Sequence, residues 1–570
     1  MLSFLNKEKT NEELNKLKRI TTFFSIVRLV FALAVIVFLV CLFSLQEYII
    51  YGSLSILAFV LFLVIVFLSN PFYKREELLK NKIKCYLRHL QRREKNYSHF
   101  ADTGIEFMDK EDYKLADLDV FGSKSLYQYL SEAKTPMGRN LLANQLKKPK
   151  DLGNQFKELV YYLKDKEECL DLEASLAVFK KGSNLLKTDE FISLVSTKVP
   201  FKMKYLIPLL SFIGMIIYLV FVFTLKINPY YIFLFLAINL ISSMVLVNDK
   251  LLSKDSSSYY YLSDLYYDLT KTIDDTKLDN KYYKELREKI VLDRENLKKI
   301  RSIYALLNAR RNIIINIILN LLCGFNSILI LILKLRIKDG IKINESLEAI
   351  SILEVALSFK NIGFDNEYAT VGEESDDING VDMYHPLVKN CIPNSIEFEG
   401  GIILTGSNMS GKTTFMRTLA ICLLLHNAGS IIPAAKFFTP TLSLYTSLRA
   451  NDMLSEGVST FYAEIKRMKL INERIKNEKC LILVDEIFKG TNAMERIDAS
   501  KRVIEKFNLN QQFFIISTHD FELCDTKDII NYHFEECYLD DKITFDYKIK
   551  EGPGKKGNAI YLLKLSGIIE

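Results

Sequence analysis

GSNMSGKTT, running from Gly406 to Thr414, decides how the C-terminal part of this chain folds. An apolar run, Gly400-Gly401-Ile402-Ile403-Leu404-Thr405, leads into it and reads as a strand; TTFMRTLAICLLL, from Thr413 onward, reads as a helix. Between the two, Gly406 and Gly411 free the backbone to wrap phosphate oxygens with its amides at the positive end of the helix. Lys412 would neutralise the β- and γ-phosphates of ATP, and Thr413 would offer its hydroxyl to Mg2+. The fold class that follows is an α/β P-loop NTPase domain whose ATP-binding loop is Gly406, Ser407, Asn408, Met409, Ser410, Gly411, Lys412, Thr413 and Thr414.

Two more strand ends point to the same crevice. Cys480-Leu481-Ile482-Leu483-Val484 ends in Asp485-Glu486, and carboxylates at the C-terminal end of a parallel strand face the phosphate loop. Asp485 is expected to hold Mg2+ through water, and Glu486 to polarise the attacking water as general base. Phe513-Phe514-Ile515-Ile516 ends in Ser517-Thr518-His519-Asp520, where His519 would sense the γ-phosphate or hold the water. Lys412, Glu486 and His519 are therefore the expected catalytic groups, and Thr413 and Asp485 the expected Mg2+ ligands.

From about residue 375, short apolar runs alternate with longer helical patterns, the mark of a largely parallel sheet; the domain is set at 370–570. Upstream, 70–204 and 249–369 read as an all-α core, broken by the turn-like Asp151-Leu152-Gly153. The tyrosine-rich SSSYYYLSDLYYDL (256–269) mixes aromatics with charge, and helix packing explains it more simply than base stacking.

Four uncharged apolar runs, 29–45, 49–69, 205–225 and 229–248, approach the roughly 20 residues that cross a bilayer. They pair as two hairpins, one in the N-terminal segment 1–69 and one at 205–248, with Lys226 in the second connection. Lys7, Lys9, Lys16, Lys18 and Arg19 precede the first hairpin; Lys74, Arg75, Lys80, Lys82 and Lys84 follow it. The positive-inside rule then predicts a multi-pass protein of the cell (inner) membrane with the ATPase domain in the cytoplasm. A polar leader ahead of the first run argues against a cleaved signal peptide. A fifth apolar stretch, Ile313 to Leu335, contains Asn316, Asn320 and Asn326. It is expected to be a buried or interfacial helix, because one further crossing would carry the ATP site away from cytosolic nucleotide.

A net charge of +6 over 570 residues neither demands nor excludes a nucleic-acid partner. Nine cysteines stand singly, without CxxC or metal-ligand spacing, which predicts reduced thiols; Cys480, inside an apolar strand, is expected to be buried and inert.

Several of these segments resemble the ATPase domain of the MutS family. TGSNMSGKTTFMRT (405–418) is similar to its phosphate loop, SEGVSTFYAEI (455–465) to its signature loop, DEIFKGTNAMERIDAS (485–500) to its Walker B segment and STHDFEL (517–523) to its switch histidine. His385-Pro386, AGSIIPA (428–434) and DYKIKEGPGKKGNAIYLLKLSGI (546–568) extend the likeness. More weakly, DVFGSKSLYQYLSEAKTPMGRNLLANQLKKP (119–149) resembles the start of the family's helical core at Thr135, Gly138, Arg139, Leu142 and Pro149. The resemblance implies an ABC/MutS-type fold in which Asn408 reaches the γ-phosphate. It also implies that Ser459 of one subunit completes the ATP site of the other in a homodimer held through the ATPase domains. A P-loop site leaves the outer face of the γ-phosphate open, so a donor from a second subunit has a physical use.

The chain departs from the soluble members in two ways. Apolar hairpins stand where their mismatch-sensing domain would be and interrupt the helical core, and no nuclease or helix-turn-helix extension is expected beyond Glu570. The expectation is a membrane-anchored ATPase whose cycle opens and closes a dimer, with double-stranded or structured DNA held by the helical core in a mismatch repair-like or structure-sensing role. The alternative is a membrane signalling or transport-related ABC-like ATPase without DNA. Arg287 to Arg301 is a candidate basic DNA-binding segment, although acids are mixed into it.

Overall fold

The computed structural model describes residues 4–45, 48–109, 111–179, 206–225, 228–246, 256–308, 320, 343–364, 368–407, 409–449, 460–488, 492–539 and 542–554. The chain divides into two compact units, one made of 1–87, 134–138 and 167–353, the other of 88–133, 139–166 and 354–570.

The described part of the first unit is helical. Helices Phe4–Leu45 and Tyr48–Arg93 run antiparallel, locked by polar pairs below their apolar stretches. The Thr21 hydroxyl donates to Glu76 Oε2 at 2.6 Å, the Ser25 and Tyr73 hydroxyls lie 2.7 Å apart, and Arg75 meets Glu13 at 3.1 Å. Arg28 donates to Ser69 Oγ and lies over the Tyr73 ring. Both helices are long and apolar enough to cross a membrane, and their apolar windows are 0% and 11% buried. A core helix would hide that surface; these helices present it outward.

Among the described residues, two helices rather than the expected four meet that length. The second pair forms helices Ile207–Leu225 and Ile232–Leu246, with shorter apolar stretches. Pro229–Tyr231 form a 3-10 turn, so the last helix starts only at Ile232. Of the stretch 313–335, all but Asn320 lies outside the described residues; Asn320 is helical and buried.

Helix Ser256–Asp275 packs on helices Cys169–Leu176, Lys281–Leu292 and Arg294–Asn308. Tyr266 is buried against Phe179, with ring centroids 5.1 Å apart, so this tyrosine of the patch serves helix packing. Its acids take up the nearby arginines. Arg287 and Arg294 both reach Asp274, at 2.6 and 2.9 Å, and Arg301 reaches Asp264 at 2.6 Å.

The second unit contains two sheets. The larger orders its strands β10-β9-β4-β8-β7-β6, where β4 is Gly401–Thr405, β6 Ser443–Ser447, β7 Cys480–Asp485, β8 Phe513–Ser517, β9 Ile530–Leu539 and β10 Lys542–Glu551. The strands from β9 to β6 are parallel and β10 is an antiparallel edge. GIILT, CLILVD and FFIIS are near-continuous apolar runs because a parallel sheet is covered on both faces; all of β4 and β8 is buried. The smaller sheet orders β1-β5-β2-β3, from Glu373–Glu374, Lys436–Thr439, Ile378–Met383 and Asn394–Phe398. Cys480 is buried, and burial pushes its thiol up to about 12, as an inert core cysteine requires.

Residues 88–133 and 139–166 belong to this unit. Thr135 accepts from Gly138 N at 3.1 Å, capping helix Pro136–Lys147, whose first residue is proline as at many helix starts. Arg139 makes a two-pronged pair with Asp102 at 2.8 and 2.7 Å, and Leu142 is fully buried. These contacts involve four of the five motif positions named at 119–149, Thr135, Gly138, Arg139 and Leu142.

Candidate functional site

The carboxyl ends of β4, β7 and β8 carry the side chains that the sequence singles out. The turn after β4 depends on glycine. Gly406 has φ 143° and a Cβ there would lie 2.7 Å from the Phe534 carbonyl; Gly411, at φ 112°, starts helix Lys412–Asn427. No side chain caps that helix, which leaves its first amides for an anion. Lys412 is buried, with Nζ donating to the carbonyls of Gly406 at 2.6 Å and Ser407 at 3.0 Å. Ser410 Oγ donates to Ser407 O at 2.8 Å. Ser407 Oγ is buried without a hydrogen-bond partner, a group that a phosphate oxygen would satisfy. Met409 points outward, 86% exposed, and Thr414 is also exposed. Asn408 lies outside the described residues.

Asp485 ties the three strand ends together. Its Oδ2 accepts from Thr413 Oγ1 at 2.7 Å and its Oδ1 from Ser517 Oγ. A hydroxyl and a carboxylate side by side are the hard oxygen ligands that suit Mg2+. Next to it, Glu486 adopts a left-handed φ of 57°, its amide donating to Ser517 O at 3.0 Å, and its Oε1 lies 3.2 Å from His519 Nε2. Lys412, Thr413, Asp485, Glu486 and His519 therefore converge. Ser459 lies outside the described residues.

Three contributors escaped the sequence reading. Ser517 is the second hydroxyl on Asp485. Arg496, one turn into helix Ala493–Leu509, makes a fork with Asp520 at 2.7 and 2.7 Å and so braces the residue after His519. That helix begins with Asn492 capping Glu495 N at 2.9 Å. The third is Asp117, fully buried, which accepts from Thr446 Oγ1 at 2.7 Å and Leu448 N at 3.0 Å, with Arg467 Nη1 3.6 Å away. Arg449 pairs with Asp119 and donates to Ala116 O at 2.9 Å. Short helix Tyr113–Asp117 thus anchors residues on both sides of 450–459. Ser517, the hydroxyl that ends the FFIIS run, and Arg496, inside the DEIFKGTNAMERIDAS segment, carry local signals in the sequence; nothing local marks Asp117.

His385 is nearly buried, and burial, reinforced by Arg417, pushes it down to about 3. It stays neutral at physiological pH, so it does not act as a titrating group there.

The family model for MutS domain V matches residues 402–570. The DNA mismatch repair protein MutS of Leptospira interrogans (serovar copenhageni) is 32% identical over 215 residues, 35% of this chain and 25% of that protein. The MutS of Persephonella marina is 32% identical over 204 residues, 33% and 23% of the two chains; that of Bacillus licheniformis is 30% identical over 251 residues, 41% and 29%. The similarity to the MutS family lies in this C-terminal domain. It spans about a quarter of the length of the curated relatives it matches.

Proposed function

We propose that this protein is a membrane-anchored MutS-type ATPase that binds and hydrolyses ATP with Mg2+ and couples the cycle to the opening and closing of a homodimer. The observation that carries the reading is the convergence of Thr413, Asp485 and Ser517 beside the Glu486–His519 pair at the mouth of the Gly406–Thr414 loop. Lys412, now bonded to its own loop, would exchange carbonyls for phosphate oxygens. Thr413 and Asp485 would hold Mg2+, which when bound would offset phosphate charge. Glu486 would take the proton of the attacking water, with His519 orienting its carboxylate. Asn408 would reach the γ-phosphate, and Ser459 of a partner subunit would complete the site.

In this reading 370–570 is the ATPase domain, 70–204 and 249–369 the helical core, and 1–69 with 205–248 the membrane segments of a cell (inner) membrane protein. The two long N-terminal helices are the principal spans, with the ATPase domain in the cytoplasm. Double-stranded or structured DNA is the proposed partner, in a role like that of the mismatch repair relatives. One observation favours the DNA-free alternative, a signalling or transport ATPase: Arg287, Arg294 and Arg301 are each engaged with an aspartate of helix Ser256–Asp275.

The test is Mg2+-dependent ATP hydrolysis by the full chain in lipid nanodiscs, with and without homoduplex, mismatched and branched DNA at low salt. Stimulation by any of them supports the DNA reading; no binding to any of them leaves the DNA-free alternative. A Glu486→Gln chain that remains monomeric with ATP would sink the composite site.

A further inference from the structure

The second unit holds a cavity of about 630 Å3 at the amino ends of β6 and β7. One wall is the carboxyl end of helix Lys412–Asn427, and another is the turn at 146–157 that leads into helix Asn154–Leu163. At 1.5 Å per residue, helix Lys412–Asn427 separates this cavity from the phosphate loop by roughly 20 Å. The two sites lie at opposite ends of one helix.

Six lysines line the cavity: Lys114, Lys147, Lys148, Lys150, Lys157 and Lys479. Lys114 pairs with Asp112 at 3.3 Å, whereas the other five make no ion pair among the described residues. Three carboxylates share the walls and each already accepts hydrogen bonds. Asp151 takes Gly153 N at 2.8 Å, Glu478 takes the Ser443 and Tyr445 hydroxyls at 2.5 and 2.7 Å, and Glu374 takes the Thr441 hydroxyl at 3.4 Å. With Lys114 set against Asp112, five lysines against three carboxylates leave an excess of positive charge around a concave space. Lysines so gathered repel one another, a cost that a bound anion removes.

Two further observations agree. Helix Asn154–Leu163 opens on the cavity at Gly153, φ 82°, with no side-chain cap and no atom within 4 Å of where a Cβ would sit. Its first amides are thus available to an acceptor. At the opposing helix end the amides of Ala428, Ser430 and Gly429 bond the carbonyls of Leu424, Leu425 and His426, which occupies most of the acceptors that would oppose an anion. His426, in the same wall, is pushed down to about 4 by burial and by Lys157, and so adds a neutral ring.

We propose that this cavity is a second anion site, separate from the Gly406–Thr414 loop, for a soluble small molecule that carries two or more phosphates. Its volume falls within the roughly 300–1,000 Å3 of small-molecule sites, and its lysines come from separate stretches of chain around one concave space, whereas a duplex backbone is met by a basic stripe along an open surface.

The test uses the full chain in nanodiscs carrying Lys412→Ala, which disables the phosphate loop, titrated by calorimetry with inorganic tripolyphosphate. Binding at one site is expected. Changing Lys147, Lys148 and Lys150 together to Ser should weaken it by roughly tenfold or more, while changing the same three to Arg should hold it within about threefold. Lys148 and Lys150 are exposed and Lys147 half-buried, so the Ser variant keeps its packing, which circular dichroism checks. Parallel titrations with a short DNA duplex and with phosphatidic-acid vesicles separate the sources of phosphate. The proposal fails if the Lys412→Ala chain binds no tripolyphosphate, if the Ser variant binds it equally well, or if the three lysines govern duplex or vesicle binding instead.

Discussion

The two ends of the large sheet are built in opposite ways. At the carboxyl ends of β4, β7 and β8, each functional group comes from a short contiguous motif, and the groups are bonded to one another: Thr413 to Asp485, Asp485 to Ser517, Glu486 to His519. At the amino ends of β6 and β7, the lysines come from positions as distant as 114, 147–157 and 479, and they bond to nothing charged except at Lys114. One end is a set of mutually satisfied groups awaiting a specific substrate. The other is an unsatisfied field. The lesson is that an ordered network reads as chemistry, and an unpaired concentration of charge reads as a missing partner.

The sharpest way to separate the two ends is Glu486→Gln. It should lower kcat by about 10²- to 10⁴-fold through loss of the general base, with nucleotide affinity unchanged in a filter-binding assay and tripolyphosphate binding intact. Loss of both bindings together would break the comparison. Asp117→Ala should join the two ends instead, because helix Tyr113–Asp117 brings Lys114 to the cavity and Asp117 to the carboxyl end of β6. Leaving Arg467 buried without its counter-charge should cost about 3–5 kcal/mol, read from chemical denaturation. Both activities should then fall.

A smaller effect confined to the carboxyl end is expected from Arg496→Ala. The fork on Asp520 is partly exposed, so its removal should cost about 1 kcal/mol of stability or less, with kcat falling by about tenfold as His519 loses its brace. Arg496→Lys should recover only part of the rate, since a lysine cannot reproduce the fork.

An effect on stability alone belongs to neither end. His385 titrates at about 3 when folded against an ordinary 6.5, so the unfolded chain takes up a proton that the folded chain refuses. Stability is then complete above about pH 6.5 and declines as pH falls from there towards 3, by at most about 1.4 kcal/mol per pH unit. Urea midpoints at pH 7.5 and 5 should differ less in His385→Gln than in the parent; an equal difference would exclude His385 as the source.

Much of the carboxyl end was legible because its residues are local. Glycine spacing, a lysine and a hydroxyl in GSNMSGKTT, and acids closing an apolar strand, are short-range signals. The parallel sheet was legible for the same reason, from GIILT, CLILVD and FFIIS. The lysine cavity was not. In sequence Lys147, Lys148 and Lys150 look like any solvated helix end, and only the chain's return through 424–429 and 441–445 makes them walls of one space. The basic segment 287–301 illustrates the opposite case: its arginines are prominent in sequence, yet their pairing with Asp264 and Asp274 of helix Ser256–Asp275 is visible only in the fold. At the second hairpin the apolar run resolves into helices Ile207–Leu225 and Ile232–Leu246 with Pro229–Tyr231 in a 3-10 turn between them, a break that apolar length alone does not mark.

Glu486 has one more consequence. A non-glycine residue held at φ 57° costs roughly 1–2 kcal/mol relative to an ordinary conformation, and Phe488, at φ 59°, repeats the departure two residues on. Replacing Glu486 by Gly would relax the backbone while deleting the carboxylate, so that variant should resist heat better than its parent and turn over ATP no faster than Glu486→Gln. The turn after β7 is then a point where durability and catalysis select different residues, and a screen for thermal resistance alone would drive this protein toward a stable, silent form.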